Sequence, residues 1–138
     1  MEIRACAAAD REGVVSLWEA CGLTRPWNDP GADFDQAIRT ATSTVLGAFE
    51  DSRVTASVMV GFDGHRGWVY YLALSGKQQR QGFGRTMMSA AEAWLRQHGA
   101  VKIQLMVRED NATALAFYER LGLEKQAVVT LGRRLDAR

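Results

Sequence analysis

The residues best suited to chemistry in this sequence lie in a polar, glycine-rich segment, Ser75–Arg85, between an apolar strand and a helix. A loop that leads into a helix N-terminus directs several unpaired backbone N–H groups at one point, where the helix dipole adds positive potential. Gly82 and Gly84 let the backbone close around an anion without Cβ clashes. Positive charge near the same opening comes from Lys77, Arg80 and Arg85. The segment therefore predicts a phosphate site and favours a pyrophosphate.

Two familiar nucleotide-binding patterns do not fit this segment. The Walker pattern needs a Lys-Ser/Thr pair after its second glycine, whereas Arg85-Thr86 follows here at a different spacing. The dinucleotide fingerprint needs a third glycine, and Met87 stands in its place. Taken alone, the two glycines are also compatible with an ordinary loop that turns tightly into a helix.

A second group of residues lies on one face of a predicted helix near the C-terminus. Asn111, Ala114 and Tyr118 are spaced at i, i+3 and i+7, so they form one stripe along the helix. An amide, a small residue and a phenol on one stripe suit the wall of a narrow ligand channel. The alternative is that Tyr118 is an amphipathic core residue.

Periodicity and turn residues give the elements that must position these groups. Pro26 and Pro30 predict a loop between the first two helices. The apolar run Trp68–Leu74 predicts a central strand covered on both faces. The other predicted strands are Met1–Arg4, Thr44–Phe49, Val54–Phe62, Val101–Val107 and Val128–Leu131, and the predicted helices are Asp10–Ala20, Asp33–Thr40, Phe83–Gly99 and Asn111–Gly122. Asp10 and Asn111 are the predicted N-caps of the first and last of these helices. The order β-α-α-β-β-β-α-β-α-β predicts a mixed α/β sheet.

Length and composition limit the class of protein. A chain of 138 residues predicts a single domain over 1–138. The net charge of +1 argues against attraction of the whole protein to nucleic acid or an anionic membrane. Cys6 and Cys21 have no metal-ligand spacing, which indicates reduced thiols and no metal site. The sequence has no signal-peptide pattern and no run near the ~18 apolar residues of a membrane span, so we expect a cytoplasmic protein.

Taken together, the two motifs resemble those of the GNAT superfamily of N-acetyltransferases. Gln79-x-x-Gly82-x-Gly84 resembles the family's acetyl-CoA motif, and Asn111-x-x-Ala114-x-x-Phe117-Tyr118-x-x-x-Gly122 resembles its second motif. The resemblance extends over nearly the whole chain, and the stretches Arg25–Pro30 and Asp63–Gly67 resemble its small bacterial YpeA-like branch. It implies the GNAT fold: a mostly antiparallel mixed sheet of about six strands with a central splayed parallel pair, flanked by four helices.

The resemblance implies acetyl-CoA as cosubstrate, with no metal. The pantetheine arm would lie along the strand Tyr71–Leu74 as an extra strand does, and the pyrophosphate would bind the N–H groups from Gln79 to Gly84. Gln79 stands where many relatives carry Arg, so Arg80 or Arg85 would supply the charge. The implied cofactor-binding residues are Leu72, Ala73, Leu74, Gln79, Arg80, Gln81, Gly82, Phe83, Gly84, Arg85, Asn111, Ala114 and Phe117.

For catalysis, the resemblance implies direct attack of an amine on the acetyl carbonyl. Tyr118 would protonate the leaving thiolate, which is typically worth ~10²–10⁴-fold in rate. A backbone N–H on the Tyr71–Leu74 strand would stabilise the oxyanion. Many relatives carry a Glu on the central strand, but Trp68–Leu74 contains no carboxylate. The candidate bases, acting directly or through water, are His65, Glu109, Asp110 and Asp63, although turn or capping roles explain the histidine and the two aspartates equally well.

The acceptor would be a primary amine of a small molecule or a protein. Its candidate contacts are Trp27, Asn28, Asp29, Asp63, His65, Arg66 and Tyr70, with Asp29 and Asp63 suited to a cationic amine. Trp27 could stack on a ligand or simply close the loop onto the core. Because the strand lacks a carboxylate, a non-catalytic acyl-CoA-binding or sensing module is the alternative. The outer strand Val128–Leu131 could pair with a copy of itself in a homodimer.

Overall fold

The structure is a computed structural model that describes residues 1–76, 78 and 82–136, in two compact units, Met1–Met106 and Val107–Arg138. The first unit contains strands β1 (Glu2–Ala5), β2 (Ser43–Glu50), β3 (Arg53–Phe62), β4 (Gly67–Leu74) and β5 (Ile103–Leu105), and helices α1 (Arg11–Ala20), α2 (Pro30–Arg39) and α3 (Phe83–Gln97). The second unit contains helix α4 (Ala112–Arg120). Within the described ranges, no helix is both long enough and apolar enough to span a bilayer.

The sheet confirms the predicted mixed and mostly antiparallel architecture. Its strand order is β1-β2-β3-β4-β5, and every neighbouring pair is antiparallel except β4 and β5, which run parallel. The predicted sixth strand, Val128–Leu131, is wrong: this stretch has no strand backbone, and Leu131 is 91% exposed. A short apolar run becomes a strand only when a neighbouring strand pairs with its backbone, and no described segment does so here. The homodimer stays a prediction, without that strand to support it.

The extents of helix α2 and strand β5 differ most from those expected. Helix α2 begins at Pro30 and not at Asp33, because Asp29 caps it by accepting a hydrogen bond from the Ala32 N–H at 3.1 Å. Proline fits the first helical position well, since its missing N–H would have no partner there. Strand β5 is shorter than the predicted 101–107.

The core of the first unit forms where α1 and α2 cover one face of the sheet. Val14, Trp18 and Phe34 are fully buried there. The Trp18 Nε1–H donates to the Ser57 hydroxyl at 3.0 Å, so the indole packs without leaving a polar atom unpaired. Helix α3 packs on β3 and β4 over the opposite face, so tightly at Gly67 that a Cβ would lie 2.6 Å from a Leu95 methyl carbon.

Asp10 stabilises the start of α1 in a different way from the simple cap that was predicted. Its side chain makes no capping bond to α1. The carboxylate instead accepts from the Ala7 N–H at 2.8 Å and from Arg4 Nη1 at 2.9 Å. The hydrogen bond from Arg4 is the main cause that lowers the pKa of Asp10.

We expect Asp10→Asn to destabilise the protein by about 0.5–1 kcal/mol at neutral pH, because the amide keeps the geometry but loses the ion pair. A carboxyl whose pKa is lowered on folding stabilises the protein above its unfolded pKa of about 4, and this contribution disappears as pH falls through the folded pKa. Urea unfolding at neutral pH should therefore give a lower free energy of unfolding for the variant than for wild type. Below pH 3 the two free energies should be equal. Glu2→Gln is the control, because Glu2 lies 3.8 Å from Arg4 and is more exposed. An equal loss at both pH values would contradict this account.

Candidate functional site

A β-bulge in β4 is the feature around which the candidate site is built. Met59 pairs with Tyr70 and Ser57 pairs with Ala73, so two steps along β3 match three along β4. Tyr71 takes up the extra residue with φ +55°, a left-handed conformation that is uncommon outside glycine. Regular alternation would place neighbouring side chains on opposite faces. The bulge instead allows Tyr70 and Tyr71 to line the same cavity.

The parallel ladder between β4 and β5 is short. It joins Gly67 to Ile103 and ends at the pair Val69 and Leu105, whereas β4 continues to Leu74. Among the described residues, β5 therefore pairs with the first part of β4 only. This is the splayed pair that the resemblance implied. Leu72 and Ala73 of β4 therefore lie beyond the end of this ladder, where an extended ligand arm could add as a strand does.

The polar loop after β4 is anchored to the sheet by a residue that the sequence did not single out. Gln78 is only 5% exposed; it accepts a hydrogen bond from the Ser75 hydroxyl and donates to Glu50 at 3.4 Å. The Ser75 N–H donates in turn to the Thr55 carbonyl at 2.8 Å. A neutral amide within a polar loop gives no sequence signal that it is buried, which is why this anchor was missed.

The predicted anion site is described only in part. Gly82 has φ +77° and is the N-cap of α3, which supports the expectation that glycine is needed there. Gly84 is buried in the first turn of the helix, next to Phe83 and Arg85. The predicted contacts Gln79, Arg80 and Gln81, together with Lys77, lie outside the described residues.

A cavity of about 560 Å³ lies between α2, β3 and β4. Its volume falls within the range of roughly 300–1,000 Å³ that is usual for small-molecule sites. Asn28 and Tyr70, both predicted to contact the acceptor, belong to its lining. Tyr70 remains 43% exposed, so β4 is not covered on both faces along its whole length as its apolar run predicted. The other lining residues are Leu23, Asp33, Gln36, Ala37, Ser43, Met59, Val60, Gly61 and Tyr71.

Asp33 and Tyr71 form a fixed pair in this cavity, and the sequence analysis missed both as contacts for an acceptor. The Tyr71 hydroxyl donates to Asp33 Oδ2 at 2.8 Å. Its ring stacks on Trp18 with centroids 4.0 Å apart and planes 7° apart. Burial first, and then the hydrogen bond to Asp33, raise the pKa of Tyr71, so the phenol stays protonated and continues to donate. The bulge in β4 and the first turn of α2 bring these two residues together. The sequence pattern indicated neither the bulge nor a helical turn at Asp33.

The two predicted acidic contacts serve local structure. Asp29 caps α2, as described above. Asp63 accepts from the His65 N–H at 2.8 Å, the Arg66 N–H at 2.7 Å and Trp68 Nε1 at 3.1 Å. These hydrogen bonds lower the pKa of Asp63, which makes it a weak proton acceptor. Asp29, Asp63 and the 56%-exposed Trp27 are all described, and none lines the cavity.

Helix α4 in the second unit carries the other predicted motif. The Asn111 side chain accepts from the Ala114 N–H at 3.0 Å, which confirms that it caps the helix. Asp110, the other candidate cap, is exposed just before it, as is Glu109. Tyr118 packs edge-on against Phe117, with ring centroids 4.9 Å apart. Burial raises the pKa of Tyr118.

The two cysteines are free thiols. Burial raises the pKa of Cys6 to about 12, so this thiol stays protonated. Cys21 donates through Sγ to the Leu74 carbonyl at 3.2 Å and so ties the end of α1 to the end of β4. Within the part of the chain that the structure describes, no three His, Cys, Asp or Glu side chains come together as metal ligands.

Comparisons with known proteins agree with this geometry. The family model described as acetyltransferase (GNAT) family matches residues 11–123. The acetyltransferase YE1169 of Yersinia enterocolitica is 41% identical over 135 residues, which cover 98% of this chain and 96% of that protein.

Solved structures share the fold. An aminoglycoside 6'-N-acetyltransferase from Acinetobacter haemolyticus superposes with a TM-score of 0.78 at 19% identity, covering 99% of this chain and 100% of that one. The enzyme AAC(6')-Iy, in complex with the bisubstrate analogue CoA-S-monomethyl-acetylneamine, superposes with a TM-score of 0.81 at 13% identity, covering 96% of this chain and 97% of that one.

Proposed function

Since this chain belongs to the GNAT acetyltransferase family, we propose that it transfers the acetyl group of acetyl-CoA to a primary amine of a small molecule or a protein. One observation carries the proposal: the β4–β5 ladder ends at Val69, while β4 continues to Leu74 and leads into the loop before α3. An arm of acetyl-CoA can add to the edge of β4, and its pyrophosphate can bind where α3 begins. The cavity beside Tyr70 and Tyr71 would then hold the acceptor.

The reaction would proceed by direct attack. The lone pair of the neutral amine forms a bond to the acetyl carbonyl carbon, and a backbone N–H of β4 stabilises the oxyanion. The bond from carbon to sulfur then breaks, and the thiolate takes a proton from the Tyr118 hydroxyl. Because burial raises the pKa of Tyr118, its phenol remains protonated at neutral pH and suits this role as acid.

Exposed side chains near the ends of β3 and β5 are the candidates for the base that takes the proton from the amine. The hydrogen bonds that occupy Asp63 favour its role in the turn over a role as base. His65 and Glu109 are exposed, so either could accept the proton through a water molecule. The lack of a carboxylate on β4 also keeps a non-catalytic acyl-CoA sensor as the second candidate.

Calorimetric titration with acetyl-CoA, followed by an acetyl-transfer screen over amines and peptides, tests the proposal. We expect micromolar binding and transfer to a defined class of amine. Binding without turnover on any acceptor would favour the sensor. No binding would contradict both candidates.

Replacing the loop anchor should weaken binding of acetyl-CoA without changing the chemistry. Gln78→Met keeps the volume of the side chain but removes both hydrogen bonds, and a typical hydrogen bond contributes about 0.5–1.5 kcal/mol. We therefore expect the KM for acetyl-CoA to rise at least about fivefold, with kcat nearly unchanged.

Steady-state kinetics on the variant separate the two constants. Gln97→Met, a change of the same size on the exposed end of α3, is the matched control. An unchanged KM, or a loss confined to kcat, would show that Gln78 does not position the loop.

A further inference from the structure

The charge within the cavity is concentrated on one side chain. Of the lining residues, all of which are described, Asp33 alone carries a formal charge. No Lys or Arg forms an ion pair with it within the described chain, whereas its neighbour Asp35 pairs with Arg11 at 3.2 Å. The cavity is therefore a largely apolar space with a single carboxylate, which lies in the first turn of α2.

The Asp33 carboxylate is held in place by a neutral donor. Tyr71 donates to Oδ2 and is itself fixed by stacking on the buried Trp18. A phenol orients a carboxylate without cancelling its charge, so the second oxygen remains available to a ligand. A cation bound beside this half-buried carboxylate forms a charge-assisted hydrogen bond, which is stronger than one between neutral groups.

The chemistry of the reaction restricts which positive charge this can be. A carboxylate next to an ammonium raises the pKa of that ammonium, which opposes formation of the neutral amine that must attack. A positive charge elsewhere on the acceptor has no such disadvantage. The apolar lining residues Leu23, Ala37 and Met59 suit the hydrocarbon that would join the two groups.

We infer that Asp33 determines acceptor specificity by binding a second, non-reacting cation, so that the acceptor is a diamine or a similar dication with an apolar linker. The inference rests on the proposed function and names the substrate class of the same site. It assigns the recognition of positive charge to Asp33 in place of Asp29 and Asp63, whose carboxylates are used by a helix cap and a turn.

Three acceptors of equal length test the inference: hexylamine, 1,6-diaminohexane and 6-aminohexanoate. A charge-assisted hydrogen bond is worth roughly a 10- to 100-fold preference, so we expect kcat/KM to favour the diamine over the monoamine by that factor, beyond a statistical factor of about two. The amino acid should be the poorest acceptor.

Asp33→Asn keeps the hydrogen bond from Tyr71 but should remove the preference for the diamine, and Tyr71→Phe should reduce that preference. Asp35→Asn is the matched control and should leave it unchanged.

Two kinetic results would overturn the inference. One is equal kcat/KM for the three acceptors in the wild-type protein. The other is an Asp33→Asn variant that loses activity equally on all three and shifts the pH profile, since that pattern identifies a base.

Calorimetric binding of 1,6-diaminohexane tests the cation site separately from acetyl transfer. If no acceptor is acetylated, the proposed function is contradicted, but weaker binding to Asp33→Asn than to wild type would still support the site. Equal binding to both proteins would overturn it.

Discussion

Tyr118→Phe is expected to slow turnover at least about tenfold, and up to roughly 10⁴-fold, while acetyl-CoA binding stays nearly intact. The phenylalanine ring retains the packing against Phe117 but cannot protonate a thiolate. Since burial raises the pKa of Tyr118, the wild-type phenol is a proton donor throughout the neutral range, and its loss should lower the rate at every pH between about 6 and 9.

The measurement must isolate the chemical step. Single-turnover rates with saturating acetyl-CoA exclude product release, and calorimetry on the same variant reports cofactor binding. A single-turnover rate equal to that of wild type would remove Tyr118 from the acid role. A large loss of acetyl-CoA affinity would instead indicate a binding role on α4.

Trp18→Ala is expected to destabilise the protein by about 3–5 kcal/mol, a large part of the stability of a domain of this size. Trp18 is fully buried, donates to Ser57 and stacks on Tyr71, so its removal leaves a cavity and an unpaired hydroxyl. Urea unfolding monitored by circular dichroism gives the difference. Trp27→Ala is the control, because more than half of that side chain is exposed and its loss should cost much less.

A second pair of variants separates packing from hydrogen bonding. Trp18→Phe removes the donor to Ser57 and leaves that buried hydroxyl without its partner, which costs about 1–3 kcal/mol in addition to the lost volume. Adding Ser57→Ala should recover part of this loss. If the double variant is as unstable as the sum of the two single changes, the hydrogen bond contributes nothing measurable.

Local patterns predicted most of the fold. The alternation of side chains and the positions of turns gave the strands from Ser43 to Leu74 to within a residue or so, and Asn111 caps α4 as expected. These features depend on neighbouring residues, so the sequence contains them. The start of α2 was misjudged because Pro30 was taken as part of a loop when it is the first residue of a helix.

The parts that were missed depend on contacts between distant segments. The bulge at Tyr71 exists because β3 and β4 pair with unequal spacing, which no periodicity in β4 reveals. Asp33 is joined to Tyr71, 38 residues later, because α2 and the bulge bring the two side chains together. The prediction of a strand at Val128–Leu131 failed because its local residues suit a strand but no described strand pairs with it.

The contact chain from Trp18 through Tyr71 to Asp33 has an evolutionary consequence. The carboxylate in the cavity is joined by two side chains to the buried centre of the first unit. Mutations that alter this carboxylate therefore also lower the free energy of unfolding. Selection would remove such mutations from proteins that are only just stable enough to function. Adaptation to a new acceptor should proceed first at Asn28, Gln36 and Tyr70, which line the same space outside the chain of contacts. We expect the charge preference to be inherited while the shape of the accepted amine diversifies.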